Sequence, residues 1–230
     1  MRLDRVAPDV LRLCLLPFDV INAYVLGDVL VDSGGRLGAP RLLSAVAGIP
    51  IAGHVVSHAH FDHQGSSHAV CERLGVPLMC GEGDRTALET GDLMSVLPQQ
   101  GTWIARLTRQ FGGPAHPVSR TLHEGDEIGG FTVIEAPGHT PGHLALWRGH
   151  DRVLFLGDVL FHRNPVTLRH VLTEPFRFAT FDPAENRRTA RRLAALEPSI
   201  VCFGHGEPLR DPARFAAYVS TLEDNEPVTA

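Results

Sequence analysis

Several absences narrow the possibilities before any motif is considered. No apolar run approaches the length of a membrane span, so no membrane role is expected. The basic residues form no stripe, and the formal net charge of −5 has the wrong sign for a nucleic-acid surface. The one local cluster, Arg187-Arg188 with Arg191-Arg192, falls on an expected helix and reads as its solvated face. Cysteine is scarce. Cys14, Cys71, Cys80 and Cys202 are widely spaced, form no C-x-x-C and sit in apolar surroundings, so they read as buried free thiols rather than disulfides. The opening Met-Arg-Leu-Asp leads into neither an uninterrupted apolar segment nor a small-residue cleavage site. No secretory leader is expected, and the cytoplasm is the expected compartment.

What is present is the composition of a folded protein. With 43% hydrophobic and 20% charged residues in 230, the chain can bury a substantial core and is read as a single domain over 1–230. Strands are expected at Val10 to Leu16, Ile21 to Leu26 and Val29 to Val31, the last two joined by a tight turn at Gly27-Asp28. A short helix from Arg41 to Ala47, a buried strand from Gly53 to Ser57, a helix from Gly65 to Leu74 and a strand from Val76 to Cys80 follow. Residues 82–118 break this rhythm. They carry helical patterns at Arg85 to Leu97 and Thr102 to Phe111, and read as a helical insert that either walls a substrate cleft or simply covers the sheet.

Strands return at Arg120 to Leu122, Phe131 to Ala136, Leu144 to Trp147 and Val153 to Leu156. A helix capped by Asp182, with Glu185 completing a capping box, runs to about Leu196. The strand Ile200 to Phe203 and a helix opened by Asp211-Pro212 finish the chain. There is no residue-level repeat, but both halves run strands, helix, strand. Two packed sheets with helices outside both would explain that doubling.

The chemistry is concentrated at His58-Ala59-His60-Phe61-Asp62-His63, on the loop leaving a buried strand. Imidazole nitrogen and carboxylate oxygen are the donors of a catalytic zinc that keeps a position open. Three later turns repeat one pattern, in which a strand ends and a glycine precedes a ligand-type residue: Gly138-His139, Gly157-Asp158 and Gly204-His205. Each is weak alone. Together they supply five imidazoles and two carboxylates: His58, His60, Asp62, His63, His139, Asp158 and His205. That is more than one metal needs and suits a pair sharing a carboxylate. Two such cations bring a shared water to hydroxide near neutral pH, ready to attack a polarised acyl or phosphoryl centre. Asp62, at once ligand and neighbour of that hydroxide, is the candidate catalytic residue. No serine or cysteine nucleophile is required, and Ser66 and Ser67 read as the first turn of the next helix.

The ordered set H-A-H-F-D-H, P-G-H-T-P-G-H, L-G-D and G-H-G, preceded by the strand end at Asp32-Ser33-Gly34, resembles the metallo-β-lactamase superfamily across nearly the whole chain. The resemblance implies an α/β fold, a four-layer αββα sandwich with the metals at one edge. It implies that His58, His60 and His139 hold one metal, that Asp62, His63 and His205 hold the other, that Asp158 bridges them, and that Asp32 orients ligands from behind. Two divalent ions are implied, Zn2+ foremost, with Fe or Mn as the other candidates. The strand ends at Ser57 and Phe203 must therefore meet in space.

Within that superfamily, a bridging aspartate at Asp158 argues against a true β-lactamase, and a nuclease would show a more basic surface or added exosite elements. The expected activity is hydrolysis of a small-molecule ester, thioester or lactone, in the manner of glyoxalase II or lactonase relatives. The alternative is a persulfide dioxygenase holding a single iron on His58, His139 and Asp158. The pocket is expected from residues 82–118 and 161–182, where Met94, Trp103, Phe111 and several phenylalanines accompany Arg163, Arg169 and Arg177. A homodimer is compatible with this size. Of the other histidines, His143 reads as structural, His54 and His68 as packing or surface, and His116, His123 and His150 as solvated. His162 and His170 lie near the expected cleft mouth.

Overall fold

Period-two alternation decides the architecture, which is seen in a computed structural model describing residues 1–98 and 110–223. Seven strands form the first sheet in chain order: β1 Arg2–Ala7, β2 Val10–Cys14, β3 Asn22–Leu26, β4 Val29–Val31, β5 Gly53–Val56, β6 Leu78–Gly81 and β7 Arg120–Leu122. β1 to β4 run antiparallel, and β4 to β7 are parallel. The second sheet has β8 Glu127–Ile128, β9 Phe131–Glu135, β10 Leu144–Arg148, β11 Val153–Gly157 and β12 Ile200–Phe203, in the order β12-β11-β10-β9-β8. One side chain in two faces the opposite sheet. Tyr24, Leu26, Val29, Val31 and Val55 meet Phe131, Val133, Leu144, Leu146, Val153 and Phe155 in one buried cluster.

The other faces are apolar too, because helices cover them. Ala23, Val25 and Leu30 pack with Leu42 of α1 (Ala39–Ala45) and Val70 of α3 (Ser67–Leu74). Ala145, Leu154, Leu156 and Val201 pack with Ala190 and Leu193 of α5 (Pro183–Ala194) and Phe215 of α6 (Pro212–Ser220). This is the expected αββα sandwich. Between these helices in chain order lie the single turn α2 (Phe61–Gln64) and α4 (Arg85–Thr90).

Two strands escape the sequence reading. β1 carries Arg2, Asp4 and Arg5 on an exposed edge, and β8 is only two residues long, so neither shows an apolar alternation. The expected helix from Arg85 to Leu97 stops at Thr90, because Gly91 follows at φ +73°, and resumes as a 3-10 turn over Leu93–Val96. The expected helix from Thr102 to Phe111, with Trp103, lies mostly outside the described residues. The capping box is half made. Asp182 Oδ1 accepts from Glu185 N at 2.9 Å, but the Glu185 carboxylate turns to Arg188 and Asp182 N donates to Gly138 O. All four cysteines are buried and free. Among the described residues, no helix is long and apolar enough to cross a membrane.

Phe155 has no exposed surface, and its ring stands edge-on to Tyr24 at 5.3 Å across the sheets. Phe155→Ala should therefore cost about 3–5 kcal/mol of unfolding free energy, measured by urea denaturation.

Candidate metal centre

Every candidate ligand leaves the end of a strand at one edge of the sandwich. β5 delivers His58 and His60 on the loop that follows it. Asp62 and His63 were expected on that loop too, but lie in the turn of α2, where His60 O accepts from both His63 N and Gln64 N. His139 follows β9, Asp158 follows β11 and His205 follows β12. All seven come together. Ligand atoms of His58, His60 and His139 lie within 4.8 Å of one another, and so do those of Asp62, His63 and His205. Asp158 Oδ2 stands between the two groups, 3.7 Å from Nε2 of both His58 and His139, 3.3 Å from His63 Nε2 and 3.0 Å from His205 Nε2. His63 Nε2 and His205 Nε2 are 3.4 Å apart, so the strand ends at Ser57 and Phe203 do meet.

The hydrogen-bond network fixes the tautomers. Ser57 Oγ donates to Asp32 Oδ2 at 2.8 Å and can only accept from His58 Nδ1, 3.0 Å away. His63 Nδ1 donates to the same Asp32 oxygen at 2.9 Å. Thr180 Oγ1 donates to Phe176 O and so accepts from His139 Nδ1. His205 Nδ1 donates to Val20 O. In all four rings Nδ1 carries a proton, which leaves Nε2 of His58 and His139 a free lone pair for a cation, whereas Nε2 of His63 and His205 faces Asp158 Oδ2 and must give up a proton to bind one. His58 Nε2, His139 Nε2 and Asp158 Oδ1 are buried with no hydrogen-bond partner, a cost that a bound cation removes. His60 Nε2 is likewise buried and unpartnered. The donor set and these orphaned atoms fit a metal.

The electrostatics divide the site. Burial pushes His58 and His139 well below the ordinary imidazole range and His60 to about 4, so these three are neutral, as ligands must be. Burial also opposes charge on His63 and His205, but Asp158 and its fellow carboxylates outweigh it and raise both. Burial alone would raise Asp158. His205 and His63 hold it well below the usual carboxylate range instead.

Three supports carried no recognisable signal in the sequence. Asp84, fully buried, accepts from Ala59 N and Thr140 Oγ1 on one oxygen and from Gly142 N on the other, each at 2.7 Å. It clamps the loop of His58 and His60 to the loop of His139. Asn22 Nδ2 donates to Phe203 O and Gly206 O, and Tyr24 Oη donates to Phe203 O, which fixes the His205 turn to the first sheet. His143 is structural, as expected: its Nε2 accepts from Asp158 N at 3.0 Å, so that nitrogen is not available to a metal. Gly204 could not be any other residue, since a Cβ there would sit 2.1 Å from Asp158 Oδ1.

The pocket differs from expectation. A cavity of about 320 Å3 adjoins Asp62, with an apolar wall that includes Leu15, Leu16, Ile21, Phe61 and Phe111. Its cations are Arg36 and Arg41, both exposed, rather than Arg163, Arg169 or Arg177. Phe161 lies instead against the rings of His205 and His139, at 4.5 and 6.5 Å. Met94 is buried with Leu97 against Ala179, so the two expected segments pack on each other. His162 is buried, its Nδ1 donating to Glu207 O, and His170 is exposed beside it.

An αββα sandwich with a buried histidine–aspartate cluster at one edge defines a metal-dependent hydrolase class. The sequence model of the Metallo-beta-lactamase superfamily matches residues 16–205, and the chain belongs to that superfamily. It is similar to the probable metallo-hydrolase YflN of Bacillus subtilis (strain 168), at 26% identity over 79% of this chain and 76% of the relative. It is also similar to the acyl-coenzyme A thioesterase MBLAC2 of Gallus gallus, at 32% identity over 53% of this chain and 43% of the relative. Among solved structures it resembles TTHA1623 in a di-iron-bound form, with 28% identity, a TM-score of 0.67, and 86% of this chain and 93% of the other covered.

Asp84→Asn places an amide N–H among N–H and O–H donors and should weaken metal binding about 10- to 100-fold in competition with a chelator. Burial raises the Asp84 carboxyl to about 6. Unfolded, it ionises near the ordinary value, so between the two the folded chain holds the extra proton. Its contribution to stability therefore falls as pH rises through that window, by up to about 3 kcal/mol. The unfolding free-energy difference between wild type and Asp84→Asn, compared at about pH 4 and about pH 7, reads this out.

Proposed function

We propose that this chain is a dinuclear metallo-hydrolase, with Zn2+ as the expected pair, that cleaves a small-molecule thioester, ester or lactone. The observation that carries the reading is the place of Asp158 Oδ2, within 3.7 Å of four imidazole nitrogens drawn equally from the two groups. His58, His60 and His139 would hold one ion, Asp62, His63 and His205 the other, and Asp158 both. Ions held there would supply a water acidic enough to attack at neutral pH and a Lewis acid for the substrate carbonyl.

The chain's own residues do the rest. Asp62 is the most open of the seven, with 19% of its side chain exposed, and it lines the cavity. Its carboxylate takes the proton of the attacking water and passes it to the leaving group. The apolar wall of Leu15, Ile21, Phe61 and Phe111 receives an acyl group. Arg36 and Arg41 favour an anionic carrier on the leaving side, which makes an acyl thioester the preferred substrate class. The similarity to an acyl-coenzyme A thioesterase supports that choice. A mononuclear iron dioxygenase is the less favoured reading, because it gives Asp62, His63 and His205 no task.

Metal analysis of the purified protein should find at least about two zinc ions per chain, and a panel of thioesters, lactones and phosphodiesters should be cleaved at the thioesters first. About one iron per chain with oxygen uptake on a persulfide would overturn the proposal. Asp158→Ala should lower kcat by at least about a thousandfold and cost metal occupancy. Arg36→Ala and Arg41→Ala, singly, should raise KM about tenfold for an anionic thioester and leave that for a neutral ester unchanged.

A further inference from the structure

We propose a separate metal site on the outer surface of the sandwich, formed by His68, Glu72 and His116 and taking a zinc-like divalent cation. His68 and Glu72 lie four residues apart on α3 and so share one face of it. His116 comes from the segment that leads into β7, 48 positions further on from His68. One ligand atom from each of the three lies within 4.8 Å of the others. His68 Nδ1 and His116 Nδ1 face each other at 3.1 Å, with the rings edge-on at 5.2 Å. One shared proton is all that two facing nitrogens can use without a cation, and it leaves the carboxylate nothing to do. A divalent ion uses all three donors. Two imidazoles and one carboxylate form a zinc donor set, and a fourth position remains for water. The histidines are half-buried and Glu72 is exposed, so an ion can enter.

The backbone is already arranged to hold the third ligand. His116 N donates to Leu88 O of α4 at 3.0 Å. Gly113 lies so close to the α2–α3 junction that a Cβ on it would stand 2.3 Å from Gly65 O. His116 is thus anchored above α3 by contacts that do not involve its ring. An ion here would clip the segment carrying Phe111, which walls the cavity, to α3. None of the three residues belongs to the edge centre, so the site stands whatever that centre holds.

The test is zinc binding by full-length wild type, His116→Ala and Glu72→Gln, dialysed against micromolar zinc and analysed for metal. Each variant should hold about one zinc ion fewer than wild type. Wild type should also show a zinc-dependent rise in melting temperature that both variants lose at least in part. Glu72→Gln alters an exposed helical side chain, so it keeps the test valid should His116→Ala fold poorly. Equal zinc content in all three proteins, or a difference seen only at millimolar zinc, would overturn the site.

Discussion

Everything at the working edge of this protein depends on one buried carboxylate. Asp158 is 2% exposed, and an ionised carboxylate in that position is tolerable only if positive charge surrounds it. Four imidazoles do so, but two of them, His58 and His139, are driven neutral by their own burial. The protein alone can therefore satisfy only half of the carboxylate. Oδ2 finds His63 and His205, whereas Oδ1 finds nothing. The site is electrostatically unfinished in a way that divalent cations complete. Metal binding and structural stability at this edge should then be one quantity rather than two.

Holding such a site open requires rigidity from outside it. The ligands come from turns, and turns alone would relax to pair their polar groups with one another. Asp32 prevents this by accepting from Ser57 N on one oxygen and from both Ser57 Oγ and His63 Nδ1 on the other, so two candidate ligand rings are tied to one strand end. Asp84 does the same between the His58 and His139 loops, and Asn22 and Tyr24 do it for the His205 turn. These supports reach across sheets or between distant loops, so the inter-sheet core that aligns the sheets is also what aligns the ligands. A cavity in that core would be felt at the metal site through these hydrogen bonds.

The sandwich and the seven candidate residues that cluster at its edge were legible in the sequence because both rest on local signals. Strand alternation names the buried faces, four of the seven candidates sit in one run after β5, and the other three each follow a glycine near a strand end. The missing parts have no local signal. Asp84 sits in Gly81-Glu82-Gly83-Asp84, where acidic turn chemistry is the ordinary reading, and nothing near it shows that it ends up fully buried against two other loops. The pocket was only partly placed, with Phe111 in its wall as expected but residues 161–182 outside it, for a related reason. Residues 161–182 have the right composition, with aromatics and arginines interleaved, but Phe161 is used to pack the ligand rings while Arg163 donates to Leu168 O. Of the arginines beside the cavity, Arg36 lies in the connection after β4 and Arg41 in the first turn of α1, where neither position reads as part of a pocket. Composition names what a surface could bind, and only the crossing of chains decides which surface adjoins the metal.

The position of the cavity then constrains the order of events in a reaction. It meets the cluster at Asp62, the most open of the seven, and not at His58, His60 or His139, which are closed in by protein. Under the proposed function a substrate would arrive on the side of the Asp62, His63 and His205 group, with its acyl portion against Leu15, Ile21 and Phe61 and its scissile bond towards Asp62. Under that proposal, fit along the apolar wall and the charges of Arg36 and Arg41 together set substrate choice. Among the described residues, Phe111 is the one part of the wall that comes from the 82–118 segment, so movement of that segment would alter the cavity while leaving the clustered histidines and aspartates where they are.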